Sequence, residues 1–112
     1  MVAVLNSLGD FANARRLVVK VGSALLVERG EARAAWLASL AQDVAGLRAA
    51  GQRVVVVSSG AIALGAAKLK LERGGRGSLA DAQAAASVGQ IALAGLWSQA
   101  LGAHGLVAAQ ML

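Results

Sequence analysis

Apolar residues fall in blocks along this chain, and the blocks change period. Leu17, Val18, Val19 and Val21 follow Arg15-Arg16 with Lys20 as the one interruption, which predicts a first strand leaving through a Gly22-Ser23 turn. From Glu31 to about Ala50 the period becomes helical. Trp36, Leu40, Val44 and Leu47 recur every three or four residues, while Arg33, Asp43 and Arg48 lie mostly off that stripe. Trp36 is therefore read as core. Gly51 stands where helices commonly end. Val54 to Val57 then form an unbroken valine run, the pattern of a strand buried on both faces of a parallel sheet. A short helix is predicted from about Ser59 to Leu69 and a longer one from about Leu79 to Leu101, with Asp81 in its first turn. Between them, Lys70 to Ser78 reads as a solvated basic Gly-rich loop, phosphate contact being the other reading. Gly102 to Gly105 make a turn, and Leu106 to Leu112 are predicted as a third strand. Met1 to Ala14 carry no strong pattern and form an N-terminal extension ahead of the domain.

A strand, a helix and a second strand make a β-α-β unit. Parallel pairing with a right-handed crossover brings Lys20 and Ser59 to one edge of the sheet, the edge at which open α/β sheets bind ligands. The break at Ser58-Ser59-Gly60 has the chemistry of an anion site. Backbone N–H groups at a helix start lack partners, the helix dipole adds partial positive charge, and glycine lets a ligand oxygen approach the main chain. The alternative is that Ser59 merely caps the helix. Lys20 is either an edge residue reaching water or a charge aimed at a ligand. Gly22-Ser23 directly after it favours the ligand.

Composition narrows the classes. Hydrophobic residues make up 57% of the 112 residues but aromatics only 3%, so Ala, Val and Leu build the core and too few rings remain for base stacking. The absence of cysteine excludes a disulfide framework, a thiolate metal site and a Cys nucleophile, and is compatible with a cytoplasmic location. A formal net charge of +5 favours anionic ligands without choosing among them. The stretch Ala82 to Leu112 carries no Asp, Glu, Lys or Arg and is long enough to span a bilayer. Its Gln, Ser, Ala and Gly content predicts a buried helix instead. The apolar start Met1 to Leu8 has no basic residues before it and does not read as a secretory signal. Gly60 to Gly65 approach a Walker-type loop, but Ala66-Ala67 replace the required Lys and hydroxyl residue, so that motif is rejected. His104, the single histidine, has no acidic, His or Cys neighbour in sequence and is read as structural. No metal ligand is expected within the chain.

With these residues placed, the sequence resembles the amino acid kinase family. The matching pieces are Val18-Val19-Lys20-Val21-Gly22-Ser23, Val55-Val56-Val57-Ser58-Ser59-Gly60-Ala61-Ile62, Val88-Gly89-Gln90, Leu96-Trp97 and Gln110-Met111-Leu112. Ser-Ser-Gly-Ala at the second strand resembles the branch that phosphorylates L-glutamate. The resemblance implies a three-layer α/β/α sandwich with a mainly parallel sheet. It also implies transfer of the ATP γ-phosphoryl group to the side-chain carboxylate of L-glutamate, the first step of proline synthesis. Lys20 would be the catalytic and ATP-phosphate residue, Gly22 and Ser23 would line the phosphate path, and Ser59, Gly60 and Ala61 would hold glutamate. ATP with Mg2+, a cytoplasmic location and a homo-oligomeric whole protein are expected, without nucleic-acid or membrane partners. Another member of the family, a basic nucleic-acid-binding module using Lys70, Arg73 and Arg76, and a membrane-associated segment are the competing readings. Residues 15–112 are expected to be the N-terminal part of such a domain, inactive as a kinase when isolated.

Overall fold

The computed structural model describes residues 13–111. The extension expected over residues 1–14 therefore lies almost wholly outside the described residues, as does Leu112. In chain order the elements are β1 (Arg16–Val21), α1 (Ser23–Leu26), β2 (Val27–Glu28), β3 (Glu31–Ala32), α2 (Ala34–Ala49), β4 (Arg53–Ser58), α3 (Ala61–Leu69), a 3-10 turn (Glu72–Gly75) and α4 (Leu79–Gly102).

The β-branched runs pair as the sequence predicts. β1 and β4 are parallel neighbours, with Lys20 opposite Val57 and Val21 opposite Ser58. Their register is fixed at the N-terminal end by two hydrogen bonds, and a third braces the turn before β4. The Arg53 N–H donates to the Arg15 carbonyl at 2.9 Å. The buried Gln52 donates through Nε2 to the Ala14 carbonyl at 2.9 Å, and Arg48 donates to the Gln52 carbonyl at 2.9 Å. Cross-strand partners share a face, so Leu17, Val19, Val21, Val54 and Val56 form the face that the helices cover. Val18 and Val57, on the other face, remain 65% and 50% exposed. The valine run is thus covered on one face only among the described residues.

Helix α4 carries Ala85, Gly89, Leu93 and Trp97 as its buried seam at four-residue intervals. Its start is capped by Ser78, the Asp81 N–H donating to Ser78 Oγ at 3.1 Å, and Asp81 lies in its first turn as expected. Leu93 and Trp97 join Val21, Leu26, Leu37 and Leu64 in one apolar cluster. Burial of each leucine there contributes about 1.5–3 kcal/mol. The small residues of the seam, Ala85 and Gly89, lie instead where α3 crosses. Among the described residues no helix is long and apolar enough to cross a membrane.

Three expectations need correction. Helix α2 begins at Ala34 instead of Glu31, because Glu31–Ala32 pairs antiparallel with Val27–Glu28 in a hairpin. The hairpin turns at Arg29 (φ 52°) and Gly30 (φ 78°), and two positive-φ residues match the twist of a tight hairpin. The deep seam of α2 is Leu37, Ala41 and Val44, while Trp36 and Leu40 are half-buried but pack against the core as expected, the Arg33 guanidinium lying 6.0 Å from the Trp36 ring centroid. Finally, Leu106 to Met111 form no strand, and Val107 and Met111 are 97% and 79% exposed. An apolar run becomes a strand only through a ladder of backbone hydrogen bonds. This segment lines a groove of about 760 Å³ with the outer edge of β4 but makes no such ladder with it.

Candidate active site

Both strands end on the same edge, as the crossover predicts. The Ser59 N–H donates to the Val21 carbonyl at 2.8 Å, so the chain exits at Gly22-Ser23 and Ser59-Gly60 run side by side. Lys20, Gly22, Ser23, Ser59, Gly60 and Ala61 are thereby gathered at one sheet edge by backbone pairing alone. Lys20 is exposed, stands opposite Val57 on the uncovered face, and has no ion-pair partner among the described residues. Ser59 is exposed, while Ser23 is half-buried at the start of α1.

Helix α3 starts without a side-chain cap. Its N-cap is Gly60, and no hydroxyl accepts from its first turn. The reading of Ser59 as a helix cap therefore falls away. Ser58 Oγ donates to the Ser59 carbonyl at 3.0 Å, and the Ser59 hydroxyl is left facing out. The first intrahelical bond runs from the Leu64 N–H to the Gly60 carbonyl at 3.0 Å. The N–H groups of Ala61, Ile62 and Ala63 precede it and have no helical acceptor. No acidic side chain lies in that turn to absorb the dipole. An uncapped start of a nine-residue helix, at the same sheet edge as Lys20, suits an anion.

The glycines divide differently from the sequence expectation. Gly60 is buried with φ 119°, and a Cβ there would stand 3.2 Å from Leu26 Cδ2, 3.5 Å from Val27 Cγ2 and 3.8 Å from Leu93 Cδ1. Its missing side chain makes room for the core, not for a ligand oxygen. Gly22 has ordinary extended backbone, φ −73° and ψ 156°, and nothing lies within 4 Å of a Cβ placed on it. Among the described residues nothing in the packing demands glycine there. Gly22→Ala is accordingly expected to leave stability within about 1 kcal/mol of the parent and, if Gly22 lines the phosphate path as the family resemblance implies, to raise KM for ATP or lower turnover. Gly60→Ala is expected to cost about 2 kcal/mol or more, from a positive φ and a tight contact. Thermal melts beside initial-rate kinetics test the pair, and equal stability losses would remove the distinction.

Ser23 also lines an open depression of about 370 Å³ whose wall includes Lys70 and Arg76. The basic loop is thus less detached from the strand edge than its composition suggests. It is built around the 3-10 turn, with Lys70 at φ 55° and Arg73 at φ 52°. His104 is exposed in the turn after α4, and no three His, Asp or Glu side chains among the described residues gather as a metal set.

The described residues thus form an α/β unit whose parallel sheet edge carries both an uncapped helix start and Lys20. The model of the amino acid kinase family matches residues 15–112, and the chain belongs to that family. Among its relatives, glutamate 5-kinase of Novosphingobium aromaticivorans is 64% identical over 112 residues, covering 99% of this chain and 30% of that protein. Glutamate 5-kinase of Sphingopyxis alaskensis is 62% identical over 102 residues, 90% of this chain and 28% of the relative. That of Rhodopseudomonas palustris strain BisA53 is 58% identical over 108 residues, 95% and 28% respectively. The chain therefore spans less than a third of the length of these curated relatives.

Proposed function

We propose that this chain is the N-terminal part of a glutamate 5-kinase, which transfers the γ-phosphoryl group of ATP to the side-chain carboxylate of L-glutamate. The bond from the γ-phosphorus to the bridging oxygen of ADP breaks. A bond from phosphorus to a carboxylate oxygen forms, giving an acyl phosphate and ADP. The observation that carries the reading is the uncapped start of α3 at Ser59-Gly60-Ala61, held beside Lys20 at the same sheet edge. The names of the relatives agree with it.

In this reading the exposed Ser59 hydroxyl and the free N–H groups at the start of α3 hold the glutamate carboxylate. Gly22 and Ser23 line the approach of the phosphates. Lys20 supplies positive charge where it accumulates on the transferring group, because phosphoryl transfer depends on positioning and electrostatics more than on covalent help. Mg2+ accompanies ATP in such reactions, but the described residues offer no carboxylate set for it, so no step is assigned to it. A third layer over the Val18 and Val57 face would complete an α/β/α sandwich in the whole protein, which we place in the cytoplasm as a homo-oligomer.

The test is glutamate-dependent ADP formation by the whole native polypeptide carrying this sequence, with the acyl phosphate trapped as a hydroxamate. Residues 1–112 alone are expected to show no turnover. ADP formation by the whole polypeptide that ignores glutamate would sink the reading.

A further inference from the structure

From the packing of α4 beneath the substrate turn, we infer that Gly89 and Leu93 are positioning residues that set where Ser59-Gly60-Ala61 sits relative to Lys20. The inference rests on the proposed function, since it assigns glutamate to that turn.

The turn is held from two directions. On the sheet side, the Ser59 N–H is tied to the Val21 carbonyl. On the helix side, it rests directly on α4. A Cβ at Gly89 would overlap the Ala61 carbonyl oxygen and stand 2.7 Å from the Gly65 nitrogen, where real Cβ contacts do not fall below 3.0 Å. One helical turn further along, Leu93 is buried and its Cδ1 lies 3.8 Å from the place of a Gly60 Cβ. Gly89 thus sets how closely α4 approaches the first turn of α3, and Leu93 fills the space under the N-cap. Neither residue belongs to the anion-facing surface, because both are buried in the seam of α4.

A methyl group at Gly89 forces the Ala61 backbone away from α4, and that backbone carries the first free N–H of the site. Removing the Leu93 side chain takes away the floor under Gly60. Shifts of about 1 Å in a positioned group cost up to about 100-fold in enzyme efficiency. The loss is expected on glutamate, because the turn faces that substrate, and not on ATP, which Lys20 and Gly22 meet from the end of β1 and the turn after it.

The test uses the whole native polypeptide with Gly89→Ala, Leu93→Ala and, as control, Leu37→Ala. Leu37 belongs to the same buried cluster as Leu93 but lies on α2. Truncating it lowers stability comparably without touching the turn. Gly89→Ala and Leu93→Ala are expected to raise KM for glutamate about tenfold or more, with KM for ATP within about twofold of the parent. Leu37→Ala is expected to melt earlier and keep both KM values. Leu93→Ala decides the matter even where Gly89→Ala yields no folded protein. A parent enzyme without glutamate-dependent turnover overturns the function and this inference with it. An active parent whose folded Leu93→Ala variant keeps its glutamate KM, or shifts it no more than Leu37→Ala does, overturns the inference alone.

Discussion

Lys20→Ala is expected to lower kcat about 100- to 1,000-fold in the whole enzyme, the usual loss when one preorganised charge or donor is removed from a transition state. KM for glutamate is expected to change little, because the lysine belongs to β1 and the turn proposed to hold glutamate to the start of α3. Among the described residues the side chain has no packing or ion-pair task. Lys20 is exposed, has no ion-pair partner among the described residues and interrupts an otherwise apolar strand. A residue with only a structural role in that place would be better as valine, like its cross-strand neighbour Val57. Stability is therefore expected to survive the substitution, and a melt within a few degrees of the parent accompanies the kinetic loss. Lys20→Arg is expected to recover only part of the rate, because a planar fork replaces a compact point charge. Near-parental turnover in Lys20→Ala would remove the lysine from the chemistry.

Much of this arrangement is legible in the sequence, for physical reasons that can be named. The valine runs, the Gly51 stop and the 3.6-residue stripe between them lead to one parallel β-α-β unit. The parallel pairing that such a unit implies places Lys20 and Ser59 on one edge. Hidden features are those that depend on a partner. The Val27–Ala32 hairpin has two-residue strands, too short to show a period, and its only local signal is Arg29-Gly30 between them. Leu106 to Met111 has the composition of a strand, but composition does not supply the hydrogen-bonded neighbour that makes one. Gly60 looks like a ligand-facing glycine in the sequence, yet Leu26, Val27 and Leu93 occupy that side of it. These three come from α1, β2 and α4, so no local window contains the reason.

The crossing of α3 and α4 gives the prediction in which sequence and packing disagree in sign. Gly65 lies inside α3, where replacing glycine by alanine ordinarily gains up to about 1 kcal/mol of helix stability. Here, however, a Cβ would overlap the Ala85 carbonyl oxygen and stand 2.6 Å from the Ala85 carbonyl carbon and 2.8 Å from the Gly89 nitrogen. The opposing atoms are backbone of a 24-residue helix, which cannot rotate aside as a side chain does. Overpacking of this kind costs about 3 kcal/mol or more, which outweighs the gain in propensity. Gly65→Ala is thus expected to destabilise the whole protein by about 2 kcal/mol or more. Gly46, in the last turn of α2, is exposed and has nothing within 4 Å of a Cβ, so there propensity acts unopposed. Gly46→Ala is expected to stabilise by up to about 1 kcal/mol. Urea unfolding of both variants measures the two signs side by side. If Gly65→Ala unfolds later than the parent, the helices do not touch backbone to backbone at this crossing, and the account of how α4 supports the substrate turn fails with it.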